Sequence, residues 1–89
     1  MLNPVHTNVF KRDVKKVKKR GKNMSSMKKI INDLINEVQL DMKYKDHALV
    51  GSYKGDRECH IEPDWLLIYT IKGCDLILVR TGSHSDLFK

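Results

Sequence analysis

Residues 57–80 read RECHIEPDWLLIYTIKGCDLILVR, and this stretch decides the fold. It contains three segments of β-type composition, which are Arg57–Glu62, Trp65–Ile71 and Asp75–Arg80. The connections between them, Pro63–Asp64 and Lys72–Cys74, are short enough for hairpins, so neighbouring strands run antiparallel. Trp65–Ile71 and Leu76–Val79 are apolar at both odd and even positions, which is typical of central strands covered on both faces. The stretch therefore predicts a mainly antiparallel sheet.

The segments on either side extend this sheet. Ala48–Tyr53 has strand composition and is joined to the next strand through Lys54–Asp56, so we predict a fourth antiparallel strand. Leu2–Thr7 contains a proline, which removes one ladder donor, and is predicted to be an edge strand or an extended arm. The tail, Ser83–Lys89, is predicted to be a short helical turn or an irregular cap.

Two helices are predicted between the first strand and the sheet. Phe10, Val14 and Val17 form a narrow apolar stripe at helical spacing, with Thr7 or Asn8 as the cap and Gly21 as the terminator. Ser25 or Ser26 is predicted to cap the second helix. Its wider apolar stripe consists of Met27, Ile30, Ile31, Leu34, Ile35 and Val38.

Together these elements predict an α+β fold in which two N-terminal helices pack on one face of a small twisted sheet. A chain of 89 residues is expected to form a single domain, residues 1–89, with one modest core. Within it we distinguish a basic strand-helix-helix part, residues 1–45, from a sheet part, residues 46–89.

Charge is divided unevenly along the chain. The net charge is +6, but residues 1–29 contain ten basic residues and one acidic residue, Asp13, whereas residues 30–89 carry a net charge of −3. Such asymmetry predicts an anionic partner, which can be nucleic acid, a membrane surface or an acidic protein. Phosphate contact without sequence specificity is favoured over a merely solvated face, because no acids at i,i+4 offset the bases. The predicted docking residues are Lys11, Lys15, Lys16, Lys18, Lys19, Arg20 and Lys22.

Composition excludes several classes of protein. The apolar share of 40% and the charged share of 31% describe a folded rather than a disordered chain. The longest apolar run, Trp65–Tyr69, is far shorter than the ~18 residues that a membrane span needs. Met1–Phe10 lacks the features of a signal peptide, and two cysteines are too few for a disulfide scaffold. We therefore expect a cytoplasmic protein with reduced thiols.

No metal site or cofactor is predicted. The chain has no C-x-x-C or H-x-x-x-H spacing. Cys59 and His60 are neighbours on a predicted strand, so they point to opposite faces and are badly placed to share a metal. Cys59 has the same parity as Ile61 and is expected to pack in the core.

Three of the four histidines lie in the sheet part near predicted strand ends: His47, His60 and His84. Imidazoles, a carboxylate such as Asp64 and guanidinium groups such as Arg57 and Arg80 are the groups that metal-free cleavage of a phosphodiester requires. Each histidine taken alone is more commonly structural or simply exposed. The interpretation as an active site therefore depends on their meeting in space. Trp65 and Phe88 are candidates for stacking on a base, with a core position as the alternative for each.

Two stretches resemble a known family. Residues 47–69, HALVGSYKGDRECHIEPDWLLIY, and residues 80–88, RTGSHSDLF, are similar to the YafQ branch of the RelE/ParE toxins, the toxin halves of bacterial type II toxin–antitoxin pairs. The similarity is dense over the last half of the chain. The first half agrees in layout and carries no diagnostic motif.

The resemblance implies a RelE-like microbial ribonuclease fold and a defined activity. It implies cleavage of messenger RNA in the ribosomal A site, without metal, by attack of the ribose 2′-OH and release of a 2′,3′-cyclic phosphate. It also implies three partners: the ribosome, the mRNA, and a DinJ- or RelB-like antitoxin that wraps the toxin in a hetero-oligomeric complex. No membrane partner is implied.

The resemblance further implies which residues form the site: His47, His60, Asp64, Trp65, His84 and Phe88. Related toxins place a tyrosine near the C-terminus, but Phe88 cannot transfer a proton, so acid–base work falls to the histidines and Asp64. We expect Asp64 or His60 to be the general base and His84 the general acid, although the histidines can exchange roles. His47 would orient the phosphate, Trp65 or Phe88 would hold a base, and the phosphate-binding bases would be Arg80, Arg57 and Lys54.

Two other functions compete with this one. A ParE-like toxin shares the fold but inhibits DNA gyrase without catalysis, and it lacks this histidine set. A basic RNA-binding protein of structural type would need only the charged helix.

Overall fold

The stretch from Arg57 to Arg80 forms three antiparallel strands, as the sequence predicts. A computed structural model describes residues 1–88, and within them five strands and three helices follow one another. The strands are β1 (Asn3–His6), β2 (His47–Ala48), β3 (Arg57–Glu62), β4 (Trp65–Lys72) and β5 (Asp75–Gly82). The helices are α1 (Asn8–Lys19), α2 (Met24–Ile35) and α3 (His84–Leu87), and single 3₁₀ turns lie at Met42–Tyr44 and Gly51–Tyr53.

The strands form one sheet in the order β1-β5-β4-β3-β2. β1 is an edge strand and runs parallel to β5, while the other neighbours are antiparallel. β4 and β5 are central strands, as their apolar character at both parities predicts. The α+β fold with two N-terminal helices and a mainly antiparallel sheet is confirmed.

The prediction of a strand over Ala48–Tyr53 is wrong. Only His47 and Ala48 pair with β3, and the chain then turns into the 3₁₀ turn Gly51–Tyr53. Gly51 has φ of 72°, a left-handed conformation that interrupts an extended strand. The segment therefore leaves the sheet edge after two residues, and Tyr53 comes to lie against the face of the sheet that carries the histidines.

The first helix begins and ends as predicted. The Thr7 hydroxyl accepts a hydrogen bond from the Phe10 N–H, and Gly21 follows the helix with φ of 81°. The second helix begins earlier than predicted, because Asn23 rather than Ser25 or Ser26 caps it. Its side chain accepts from a backbone N–H in the first turn, for which asparagine is among the best residues.

Val38 is also misassigned by the sequence. It lies beyond the end of α2 and is 52% exposed, so the apolar stripe ends with the helix at Ile35. Both α1 and α2 contain 12 residues. Within residues 1–88, none of the helices combines the length and the apolar character needed to cross a membrane.

The sheet buries side chains on both faces. The larger core lies between the sheet and helices α1 and α2, and Phe10, Ile30, Trp65 and Leu78 are among its buried members. The smaller core lies on the other face, where Leu87 of α3 packs on two residues of β4. Because α3 covers that face only in part, the remaining area is available for a site.

Asp13, the one acidic residue among residues 1–29, links α1 to the edge of β5. β1 pairs with β5 only as far as Leu78, and beyond that point side chains complete the hydrogen bonds of the edge. Asp13 accepts two hydrogen bonds of 3.0 Å from the Arg80 guanidinium and one of 3.2 Å from the Thr81 N–H. The Thr7 hydroxyl donates to the Val79 carbonyl. Asp13 thereby fixes both the helix and the position of Arg80.

Replacing Asp13 by asparagine is expected to lower the free energy of unfolding by about 3 kcal/mol, because it leaves the partly buried Arg80 charge without its partner. The matched control is Asp33→Asn, which removes the more exposed i,i+4 pair with Lys29 and is expected to cost less than about 0.5 kcal/mol. Urea unfolding at neutral pH measures both. Equal losses in the two variants would contradict the structural role of Asp13.

Candidate active site

The buried carboxylate of Glu58 contacts two histidines, His60 and His47, on the face of the sheet opposite α1 and α2. Its side chain is 6% exposed, and Oε1 lies 3.1 Å from His60 Nε2 and 3.6 Å from His47 Nε2. A carboxylate removed from water to this extent needs such partners, because an isolated buried charge is costly. Glu58 therefore fixes the ring positions of both histidines.

The strand geometry explains this arrangement. Glu58 and His60 are two apart on β3 and so point to the same face, while His47 lies directly opposite Glu58 in the pairing of β2 with β3. Sequence reasoning missed Glu58, because a glutamate on a short strand resembles a solvent-facing charge. The signal that could have found it is the spacing E-x-H, which places a carboxylate beside an imidazole.

A backbone carbonyl determines the tautomer of His47. Nδ1 lies 2.6 Å from the Lys45 carbonyl oxygen, and since that oxygen only accepts, Nδ1 donates. Lys45 adopts a left-handed conformation with φ of 49°, which directs its carbonyl toward the ring. Nε2 then faces Glu58, so the protonated form of His47 is an ion-pair partner held between two acceptors.

A second carboxylate–imidazole pair stands beside the first. Asp64 lies in the turn between β3 and β4, and its Oδ1 accepts from the His84 N–H at 2.9 Å and from His84 Nδ1 at 2.6 Å. These bonds lower the pKa of Asp64. Because Nδ1 is the donor to Asp64, His84 Nε2 points away from the carboxylate and is the atom available to a substrate.

The aromatic rings form a continuous row across this face. Ring centroids are 6.4 Å apart for His47 and His60, 5.6 Å for His60 and His84, and 6.5 Å for His84 and Phe88. Tyr53 extends the row with its ring 5.6 Å from Phe88. The predicted residues His47, His60, Asp64, His84 and Phe88 are thus brought together, and Tyr53 joins them through the 3₁₀ turn that the sequence analysis missed.

Arg80 borders the same face. It lies in one cross-strand row with Ile68 of β4 and Glu58 of β3. Its pKa is raised above the usual value, chiefly by the hydrogen bonds to Asp13 and further by Tyr53. Nε and Nη2 both donate to Asp13, so Nη1 is the guanidinium nitrogen that this carboxylate does not use.

The prediction that Trp65 holds an RNA base is wrong. Trp65 is 1% exposed in the helix-side core, and its Nε1 donates to the Thr81 hydroxyl at 3.0 Å. The ring therefore has no free face for stacking, and the alternative of a core position holds. Phe88 is 41% exposed and keeps a face open to solvent.

Arg57 does not join the histidines. It alternates with Glu58 along β3 and bonds to Asp46 at 3.3 Å on the opposite face, where the Tyr69 hydroxyl shares the same carboxylate oxygen. The prediction that Arg57 binds the substrate phosphate is wrong for this reason. Lys54 directly follows Tyr53 in the chain and is exposed.

Two of the predicted docking residues form ion pairs with carboxylates of the same chain. Arg20 donates to both oxygens of Asp86 at 2.6 and 3.1 Å, and Lys22 donates to Glu62 at 3.1 Å. Both pairs connect the end of α1 to segments that carry site residues, so Arg20 and Lys22 position the site. The remaining predicted docking bases are exposed on α1: Lys11, Lys15, Lys16, Lys18 and Lys19.

The geometry supplies two groups that can exchange protons across one small space. His60 with Glu58 and His84 with Asp64 are carboxylate–imidazole pairs of the kind that orient a ring for acid or base work. Over residues 1–88, no three His, Cys, Asp or Glu side chains are arranged to hold a metal ion. The two carboxylate–imidazole pairs are side chains that can move a proton to and from a bound group.

Comparison with known proteins gives a consistent set of relatives. A family model described as "Bacterial toxin of type II toxin-antitoxin system, YafQ" matches residues 2–89. The mRNA interferase toxin YafQ of Escherichia coli K12 is 46% identical over 80 residues, which cover 89% of this chain and 87% of that protein. In the crystal structure of the E. coli DinJ–YafQ complex, a chain with 41% identity covers 100% of both chains with a TM-score of 0.92. A metal-bound toxin from Helicobacter pylori, at 44% identity, covers 99% of this chain and 100% of that chain with a TM-score of 0.92.

The Arg20–Asp86 pair predicts a pH-dependent contribution to stability. Arg20 holds the pKa of Asp86 well below its usual value, and the Ser83 N–H adds to this. A depressed carboxyl pKa stabilises the fold fully above the unfolded value of about 3.9, and this stabilisation is lost as the pH falls toward the folded value. The gap in urea midpoint between the unmodified protein and Asp86→Asn should therefore be constant from pH 7 to 5 and shrink below pH 4.

The control for this experiment is the same substitution in an Arg20→Gln background. Without the guanidinium the midpoint gap should be smaller at pH 7 and change less with pH. A gap that is unaffected by Arg20→Gln would contradict the pairing.

Proposed function

Because the chain belongs to the YafQ family of bacterial type II toxin–antitoxin toxins, we propose that it is a toxin that cleaves messenger RNA on the ribosome. The observation that carries this proposal is the pair of carboxylate-bound imidazoles, His60 with Glu58 and His84 with Asp64, whose rings are 5.6 Å apart. Cleavage of RNA by transfer to its own 2′-OH needs one base and one acid on opposite sides of a phosphate. The two pairs supply one candidate base and one candidate acid on the same face of the sheet, which supports this reaction.

His60 is the general base of the proposed reaction. Its Nε2 is bonded to Glu58, so Nδ1 takes the proton from the ribose 2′-OH while the 2′-oxygen forms a bond to phosphorus. Asp64, the other base that the sequence left open, is poorly suited, because Oδ1 accepts two hydrogen bonds from His84 and the pKa of the carboxyl is lowered. Asp64 instead orients His84.

His84 is the general acid. Its Nδ1 is held by Asp64, and Nε2 gives a proton to the leaving 5′-oxygen as the bond from phosphorus to that oxygen breaks. The products are a 2′,3′-cyclic phosphate and a 5′-hydroxyl end. Exposure of 53% for the His84 side chain leaves its ring open to a substrate.

Charge on the phosphate is balanced from two sides. His47, between the Lys45 carbonyl and Glu58, can present a positive ring to one side of the phosphate, and Arg80 Nη1 approaches from the other. Fixed cations aimed at the developing charge stabilise a phosphoryl transition state. Lys54 adds a mobile charge at the rim, and the open face of Phe88 holds a neighbouring base by stacking.

The reaction as proposed uses side chains for every proton transfer. One relative was solved as a metal-bound toxin from H. pylori. In the described part of this chain the site carboxylates and imidazoles bond to one another, and they do not converge as a set of three on one point. A chelator that binds transition metals but spares the Mg²⁺ of the ribosome should therefore leave the cleavage rate unchanged, and a loss restored by added metal would contradict the metal-free reaction.

The partners follow from the same family. The DinJ–YafQ complex supports an antitoxin similar to DinJ as the neutralising partner in a hetero-oligomer. The ribosome and its message would be met in the cytoplasm. Exposed lysines of α1 are placed to contact ribosomal RNA through its phosphates, so that the A-site codon reaches the histidine row. A gyrase inhibitor or a passive RNA-binding protein would have no use for two paired imidazoles.

Replacing His84 by alanine, or Glu58 by glutamine, is expected to slow cleavage of mRNA on translating ribosomes by roughly 10²-fold or more. The first removes the acid, and the second removes the carboxylate that orients His60. Mapping of 5′ ends on the message gives the rates and the cleavage positions. The matched control is His6→Ala, the histidine outside the row, which should cleave at the normal rate. A folded His84→Ala protein that still cleaves normally would contradict the proposed role.

The docking role of α1 predicts a change in salt dependence. Ribosome affinity should fall steeply with salt, and Lys16→Gln/Lys18→Gln/Lys19→Gln should reduce the slope of log affinity against log salt by roughly 2–3, since each lost phosphate contact removes about 0.7–0.9. The control is Lys72→Gln, at the exposed last residue of β4, which should leave the slope unchanged. An unchanged slope in the triple variant would contradict docking through α1.

A further inference from the structure

Three polar side chains form a network on the face of the sheet opposite the histidine row. Asp46 directly precedes His47 in the chain. Its Oδ1 accepts a hydrogen bond of 2.6 Å from the Tyr69 hydroxyl and one of 3.3 Å from Arg57 Nε. Tyr69 is 2% exposed and belongs to the core between the sheet and helices α1 and α2. The proposed reaction gives this network no role.

The backbone pairing of the sheet holds His47 over a very short length. β2 contains only His47 and Ala48, and the side chain of His47 is half exposed. Successive residues of an extended chain point to opposite faces, so Asp46 reaches the helix-covered face while His47 stays on the other. An anchor on Asp46 therefore fixes the backbone from which the His47 ring projects.

The two donors to Asp46 come from the neighbouring strands. Tyr69 of β4 lies directly opposite Arg57 of β3, and Arg57 is in turn paired with Ala48 of β2. This cross-strand row brings both donors to the start of β2. Burial and the bond to Asp46 raise the pKa of Tyr69, so its hydroxyl keeps its proton at neutral pH and donates.

The same anchor supports the contact that determines the tautomer of His47. Lys45 precedes Asp46, and its carbonyl accepts from His47 Nδ1 at 2.6 Å. The φ of 49° at Lys45 is uncommon for a residue with a side chain, and such a conformation persists only where its surroundings hold it. Asp46 lies between the two residues, so its bonds to Tyr69 and Arg57 restrain both.

We propose that Tyr69 and Asp46 are positioning residues that hold His47 where its ring can balance the charge of the phosphate. The inference rests on the proposed function, which gives His47 that role. Both residues act through the backbone of residues 45–47 and not by contact with the substrate. The site on one face of the sheet thus depends on a hydroxyl buried on the other.

Tyr69→Phe removes the hydroxyl and keeps the ring that fills the core. Single-turnover cleavage of mRNA on ribosomes is expected to slow roughly fivefold or more in Tyr69→Phe and in Asp46→Ala, because a misplaced group in a site is costly. In a His47→Ala background, Tyr69→Phe should slow cleavage further by less than about twofold, since the residue that it positions is gone. The matched control is Thr70→Val, which removes the neighbouring hydroxyl of β4, bonded to the Gly55 carbonyl at 3.1 Å, and should cleave at the normal rate.

Imidazole ¹H–¹⁵N spectra of the toxin alone give a second readout. At about pH 9, where an ordinary imidazole is neutral, His47 of the unmodified protein should carry its proton on Nδ1. In Tyr69→Phe the ring should average over both tautomers, while the signals of His84 stay unchanged. Urea midpoints of Tyr69→Phe, Asp46→Ala and Thr70→Val show that each variant is folded under the conditions of the assay.

Three results would overturn the proposal. They are normal cleavage by folded Tyr69→Phe, an unchanged His47 spectrum in that variant, and a loss of cleavage of the same size with and without His47. The last would mean that the hydroxyl supports the fold in general and not the position of one ring.

Failure of this inference is distinguishable from failure of the proposed function. Normal cleavage by Tyr69→Phe together with slow cleavage by His84→Ala refutes the anchor alone. Absence of cleavage by the unmodified toxin refutes the ribonuclease, while the spectra still test whether Tyr69 holds His47.

Discussion

The fold depends on the ion pair between Asp13 and Arg80. The first third of the chain carries a net charge of +9 and would repel itself and every other cation, yet its single acid is placed against the edge of β5. There it completes the hydrogen bonds of the strand beyond β1 and holds Arg80 at the border of the open face. A partly buried carboxylate that accepts two hydrogen bonds from its ion-pair partner and one from a backbone N–H can repay the cost of removing the charges from water, a cost that exposed surface pairs hardly incur.

The same principle recurs wherever the site is assembled. Glu58, Asp64 and Asp86 are carboxylates that bond to nearby side chains. The partner of Glu58, His60, lies on the same strand, whereas His84 and Arg20 reach Asp64 and Asp86 from other elements. The sheet part, residues 46–89, supplies these acceptors and has a net charge of −2. The basic part supplies Arg20, which anchors α3 through Asp86, and exposed lysines for an anionic partner. The uneven charge of the chain thus agrees with the proposed division between attachment to an anionic partner and chemistry.

Sequence patterns predicted what depends on local rules. Strand parity, short connections and caps predict the central strands, α1 and the fold class. The resemblance to the toxin family predicts which histidines form the site. They failed where tertiary contacts decide. The sequence leaves Trp65 open between stacking on a base and a core position, because an aromatic beside a turn can face either way, and only the helix packing shows that it is buried. Arg57 was placed in the site although alternation puts it on the other face, and Glu58 was missed although alternation puts it beneath His60.

The central claim is that His84 protonates the leaving 5′-oxygen and His60 deprotonates the 2′-OH. The most direct test uses ribosome-bound mRNA in which the scissile 5′-oxygen is replaced by sulfur, because a thiolate leaves without an acid. Single-turnover cleavage by His84→Ala should then recover to near the rate of the unmodified toxin, while His60→Ala stays slow. Recovery of neither variant, or of both equally, would contradict this assignment of the acid and the base.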